Sequence, residues 1–94
     1  MTESRSNEDL EFRRRRLRFR AWHRGTRELD LMLGRFADAE IAKLNEAEIG
    51  AFEALMDVPD HDLYGWITGA EATPAPYDTP LLRRLRDFHL GSVR

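Results

Sequence analysis

The sequence predicts an all-α fold, a single domain built as a compact five-helix bundle. Apolar residues recur at i, i+3, i+4 and i+7 in segment after segment, the repeat of helices with one buried face. Only two Val and three Ile occur in 94 residues, and no β-branched run alternates with polar residues, so strands have little to form from. Short stretches with Gly, Pro and capping residues separate the segments, which favours neighbours packed roughly antiparallel. By size the chain is one domain, expected to be ordered over about 7–90 with frayed ends.

The first helix is expected from Asn7 to Trp22, because Ser6-Asn7-Glu8-Asp9 combines a cap with acids in the first turn. Leu10, Leu17 and Ala21 share one face. Phe12 and Phe19 share nearly the opposite one, with Trp22 beside them, and Arg13, Arg16 and Arg20 form a third stripe. A short bundle covers one apolar stripe fully, so the second is left for another element or a partner. The second helix is expected from Arg27 to Ala42, capped by Thr26, with Leu29, Met32, Leu33 and Phe36 facing the core. Gly34 lies inside it at a cost of about 1 kcal/mol relative to Ala, which a close helix–helix approach explains.

The third helix starts at a capping box, Asn45-Glu46-Ala47-Glu48, buries Ile49, Phe52, Leu55 and Met56, and stops at Pro59. The fourth is short: Asp60 caps it, Leu63, Trp66 and Ile67 point inward, and Gly69 closes it. Residues 70–77 read as an extended connector with Pro74 and Pro76. Thr79 as cap and Pro80 at the first helical position start the fifth helix, whose apolar side is Leu81, Leu82, Leu85 and Phe88.

Composition narrows the function classes. There is no Cys, so disulfides, thiol nucleophiles and cysteine zinc sites are excluded. His23, His61 and His89 have no helical ligand spacing among themselves, so no metal is expected. No apolar run reaches the length of a membrane span. The acidic N-terminal stretch lacks a signal-peptide core. A soluble cytoplasmic monomer is the expectation.

The net charge of −2 hides a segregation. Residues 1–27 hold nine Arg and four acids; residues 28–79 hold two basic and twelve acidic residues; residues 80–94 hold four Arg and one acid. Oppositely charged segments are therefore expected to meet within the fold. The run Arg13-Arg14-Arg15-Arg16 raises an alternative, a regulatory module that binds nucleic acid through the first helix. Interleaved Phe12, Phe19 and Trp22 would suit base stacking. Four consecutive Arg spread around a helix rather than along one side, and the rest of the chain is acidic, so no nucleic-acid partner is expected.

The stretch WHRGTRELDLMLGRF, residues 22–36, is the most constrained. Gly25 suits a tight turn or a close backbone approach. Thr26 and Glu28 fit the start of the second helix. Those roles leave Arg24 and Arg27, which bracket the turn, and Leu31, which falls off the core face. His23 has the pKa of a general base, yet no Ser or Cys accompanies it, and its nearest carboxylates in sequence are Glu28 and Asp30. It reads as a polar turn residue.

The run RRRRLRFRAWHRGTRELDLMLGRFAD, followed by VPDHDLYGWITG and YDTPLLRRLRDFH, strongly resembles the small flavinylation assembly factors of succinate dehydrogenase. Their hallmark, Arg-Gly-x-x-Glu, is matched by Arg24, Gly25 and Glu28. The resemblance covers about residues 10–90 and is greatest to alphaproteobacterial members. His61 departs from it, where the family usually has Pro between two acids. The resemblance implies a five-helix bundle that is not an enzyme. It would bind the flavoprotein subunit of succinate dehydrogenase, and often of fumarate reductase, and promote covalent attachment of FAD to a histidine there. No cofactor would be held tightly; the FAD acted on is the partner's. Arg24, Gly25 and Glu28 would carry the partner contact, and Arg16, Arg20, His23, Arg27, Asp30 and Leu31 would extend it.

Overall fold

The computed structural model describes residues 2–92, and side chains over 9–91. Five α-helices follow one another: α1 Thr2–Trp22, α2 Arg27–Glu40, α3 Glu46–Met56, α4 Asp60–Thr68 and α5 Pro80–Ser92. Two single 3-10 turns, Ile41–Lys43 and Ala75–Tyr77, lie between them, and no strand occurs among the described residues. The fold class is the one the apolar repeat dictates.

The boundaries differ from expectation in four places. α1 begins at Thr2, so Ser6 and Asn7 lie within the helix. No Gly or Pro interrupts residues 2–8, and nothing there forces the helix to stop; the expected side-chain cap falls outside the described side chains. α2 ends at Glu40, where the chain tightens into the 3-10 turn instead of continuing to Ala42. Pro59, not Asp60, is the N-cap of α4, which moves Asp60 into the first helical turn. The connector at 70–77 is extended only in part, since Ala75–Tyr77 forms a turn.

Other local signals hold as read. Asn45 accepts from Glu48 N–H at 2.8 Å while Glu48 accepts from Asn45 N–H at 2.8 Å, a complete capping box. Gly69 closes α4 at φ +82, the left-handed conformation a helix end requires. Leu82 N–H reaches Thr79 Oγ1 at 3.2 Å.

The core is one cluster drawn from every helix. Leu17 and Ala21 of α1 meet Leu29, Met32, Leu33 and Phe36 of α2; Ile49, Phe52, Leu55 and Met56 of α3, Leu63, Trp66 and Ile67 of α4, and Leu81, Leu82 and Leu85 of α5 complete it. Phe36 is its pivot, with Phe52 and Phe88 packed edge-on at 5.5 and 5.6 Å between ring centroids. α1 and α2 approach closely through Gly34. A Cβ built there would lie 2.2 Å from Trp22 Cδ2, so the glycine makes room for the indole. Of the two apolar stripes on α1, the Leu17 side is covered, and the other only in part, at Trp22. Phe12 and Phe19 remain 58% and 63% exposed.

The segregated charges meet as expected. Arg13 donates to Glu53, Arg18 to Asp38, Arg20 to Asp57, and Arg84 to Glu40 and Glu48. Arg14 donates to Glu11 and also to the carbonyls of Ile41 and Leu44. The hydrogen bond from Arg84 holds the Glu40 carboxyl below the usual carboxylate range. His61 lies 3.2 Å from Glu71.

Candidate functional site at the Arg24–Glu28 turn

Only residues 23–26 separate α1 from α2. The chain reverses there at Gly25, whose φ of +106 is a conformation that side chains disfavour. A Cβ placed on Gly25 would meet nothing within 4 Å. The glycine is therefore required by the backbone and not by crowding, and it leaves a bare, exposed surface.

Two side chains hold the turn from inside. Asp30 reaches back from α2, and its Oδ1 accepts the backbone N–H of Arg24 at 2.6 Å and of Gly25 at 3.3 Å. Thr26 occupies the N-cap position with extended backbone, but its side chain makes no capping bond. The capping bond expected of Thr26 is not made; the turn before the helix is held instead by Asp30, whose carboxylate is a strong acceptor.

Arg24 is the second holder. Its Nε and Nη2 donate to Asp60 Oδ1 at 3.1 and 2.5 Å. Nη1 donates to Met56 O at 2.5 Å and Nη2 to Val58 O at 2.6 Å. Carbonyls at the end of a helix lack partners within it, and a cation there also offsets the helix dipole. Asp60, in the first turn of α4, complements the opposite dipole end. One guanidinium therefore ties the turn to the end of α3 and the start of α4. The Arg24 side chain is only 11% exposed. The sequence reading turns Arg24 outward to a partner; the fold turns it inward, because only a long planar fork reaches both carbonyls and the carboxylate.

What remains outside is Gly25, Thr26, Arg27 and Glu28, all exposed. The side chains of Arg27 and Glu28 make no hydrogen bond or ion pair among the described residues. Glu28 borders two surface depressions, one of about 290 Å³ with Thr26, Asp60, His61 and Tyr64, the other shared with Leu31 and Arg35. His23 stacks on Phe19 with ring centroids 4.0 Å apart, and its Nδ1–H donates to the Phe19 carbonyl at 2.7 Å. His23 makes no hydrogen bond or ion pair with Glu28 or Asp30 among the described residues. Arg20, His23 and Arg24 line one shallow depression of about 350 Å³. Arg16 is exposed and without a partner among the described residues. Sequence reasoning missed Asp60 as the counter-ion of Arg24 and Tyr64 as a neighbour of Glu28. The only signal was that Tyr64 falls off the apolar stripe of Leu63, Trp66 and Ile67.

Fold and site together define a small helical binding module: a turn fixed from within, with one free carboxylate beside a bare glycine. Among the described residues no three His, Asp or Glu converge as metal ligands. The chain belongs to the family described as flavinator of succinate dehydrogenase, whose sequence pattern matches residues 15–89. It is 39% identical over 80 residues to the FAD assembly factor SdhE of Acetobacter pasteurianus, covering 85% of this chain and 73% of that protein. It is 37% identical over 87 residues to the mitochondrial succinate dehydrogenase assembly factor 2 of Scheffersomyces stipitis, covering 88% and 58% of the two chains. With the mitochondrial assembly factor 2-A of Drosophila willistoni it shares 35% identity over 92 residues, 96% of this chain and 59% of the other. The chain thus spans less than two thirds of these two mitochondrial relatives. No solved structure matches it.

Proposed function

We propose that this protein is an assembly factor that binds the flavoprotein subunit of succinate dehydrogenase and promotes covalent attachment of FAD to it. The observation that carries this reading is the division of labour within one five-residue motif, in a chain of this family. Arg24 is spent on holding the turn, while Gly25 presents an open face to solvent and the Glu28 side chain has no partner among the described residues. Partner contact falls to the exposed part of the motif and to Arg27 beside it. Arg24 and Asp30 act through the turn they position.

The reading assigns no bond-making step to the protein. Its contribution is orientation: it holds the flavoprotein so that the partner's own histidine and flavin meet in a reactive geometry, a contribution that alone lowers barriers by several kcal/mol. FAD in this reading belongs to the partner, and the factor works as a monomer in the cytoplasm. No helix among the described residues is long and apolar enough to cross a membrane. The nucleic-acid alternative gains nothing from the family, and Arg13, Arg14, Arg18 and Arg20 are engaged within the fold.

The test is a cell lacking this protein, complemented with wild type or with Gly25→Arg. Denaturing gels read by flavin fluorescence are expected to show covalent flavin on the flavoprotein subunit only with wild type. Equal fluorescence in all three strains would refute the proposal.

A further inference from the structure

Next to the motif, α2, α4 and α5 leave a groove of about 220 Å³. Along α2 it is bounded by Glu28 and Arg35, with Leu31 and Met32 between them; Tyr64 of α4 and Phe88 and His89 of α5 supply the other side. Its backing is firm, since Phe88 packs edge-on against the buried Phe36. The volume falls below the roughly 300 Å³ at which small-molecule sites begin. It suits one side chain, and Leu31, Met32 and Phe88 make that side chain apolar.

The ends of the groove carry opposite charges that nothing in the protein neutralises. The side chains of Glu28 and Arg35 have no hydrogen bond or ion pair among the described residues. Arg13, Arg18, Arg20, Arg24, Arg83 and Arg84 all reach a carboxylate, whereas Arg35, like Arg16 and Arg27, does not among the described residues. Seven residues of helix hold them about 10 Å apart along the axis, too far to pair with each other. Such an arrangement is an apolar anchor site with a charge at each end, and the charges fix the direction in which a partner segment lies.

We propose that this groove takes one apolar side chain of the flavoprotein, aliphatic or aromatic. A Lys or Arg neighbouring that residue meets Glu28, and an acidic residue meets Arg35. The inference rests on the proposed function and adds where the affinity resides and what chemistry the partner segment has. Continuity supports it, because Glu28 belongs both to the motif and to the groove. So do the unpaired charges at its two ends, each of which an opposite group on the partner would offset.

The experiment measures binding of the full-length protein to the purified flavoprotein subunit by titration calorimetry. Leu31→Asp and Tyr64→Ala are each expected to weaken binding at least tenfold with the helical circular dichroism unchanged, and Leu31→Met to stay within twofold. Tyr64 is exposed, so its variant keeps the test valid if Leu31→Asp unfolds. A photo-reactive residue in place of Leu31 is expected to crosslink to an apolar residue with Lys or Arg close by in the flavoprotein sequence. Wild-type affinity in both groove variants, or a crosslink to a segment lacking an apolar residue, overturns the inference. Gly25→Arg is run in parallel. If it abolishes binding while the groove variants bind normally, the groove falls and the proposed function stands; if wild type itself does not bind, both fall.

Discussion

Arg24→Ala removes four donor contacts at once: two to Asp60 Oδ1 and one each to the carbonyls of Met56 and Val58. A hydrogen bond involving a charged group contributes about 1.5–3 kcal/mol, and breaking a fully buried ion pair costs about 3–5 kcal/mol. Here one partner is buried and the other is not: Arg24 is 11% exposed and Asp60 39%. Water replaces part of what Asp60 loses, while the carbonyls of Met56, at the end of α3, and of Val58, just beyond it, lose their charged donor. The expected cost is about 3 kcal/mol, or about 12–24 °C in Tm for a domain of this size. Asp60→Asn keeps an acceptor in place and removes its charge, which about halves a charge-assisted bond and costs roughly 1 kcal/mol. Urea unfolding followed by tryptophan fluorescence measures both. In the double variant Asp60→Asn is expected to add little to Arg24→Ala, since the two share one contact. The reasoning is refuted if Arg24→Ala unfolds within about 0.5 kcal/mol of wild type yet abolishes covalent flavin. That pair of results would mean Arg24 works by touching the partner.

Four further outcomes follow from named contacts. Gly34→Ala adds helix propensity worth about 1 kcal/mol but drives a methyl into Trp22; overpacking of this kind costs about 1–3 kcal/mol, so a net loss of urea stability and an altered tryptophan emission are expected. Gly25→Ala meets no neighbour, yet it forces a side chain into positive φ, and calorimetry is expected to show a loss of about 1–2 kcal/mol. Glu28→Gln leaves unfolding within about 0.5 kcal/mol of wild type while partner affinity falls, measured by the titration described above. Glu40 has its pKa lowered in the fold, chiefly by the Arg84 hydrogen bond. The stability it contributes is complete above its unfolded value of about 4.3 and is lost as pH falls through the folded value. Urea midpoints taken downward from neutral pH are expected to show a shallower acid decline in Glu40→Gln.

Much of the fold was legible because short-range rules decided it. The apolar repeat of Leu29, Met32, Leu33 and Phe36 faces the core as read, and the Asn45–Glu48 box and the Thr79-Pro80 start need only neighbours in sequence. Gly34 was legible as a close approach, though not that Trp22 fills it. The site was legible in outline. Gly25 and the outward Glu28 follow from turn chemistry. The inward course of Arg24 does not, because its partners Met56, Val58 and Asp60 lie more than thirty residues away and are set by how α3 meets α4. Asp60 looked like a helix cap because an acid at that position ordinarily is one; here Pro59 takes the cap position and Asp60 takes the guanidinium. Asp30 was named as an interface residue, and its position one turn into α2 lets it bind the two N–H groups that precede the helix.

The central claim is that the turn is held from inside so that Gly25 and Glu28 meet the flavoprotein. Reconstitution tests it most directly: purified flavoprotein subunit lacking covalent flavin, free FAD and the full-length factor, with covalent flavin followed over time on denaturing gels. The account predicts rapid attachment with wild type and attachment slowed to the factor-free rate with Glu28→Gln at unchanged fold stability. Attachment at the wild-type rate with folded Glu28→Gln and folded Gly25→Arg would contradict it.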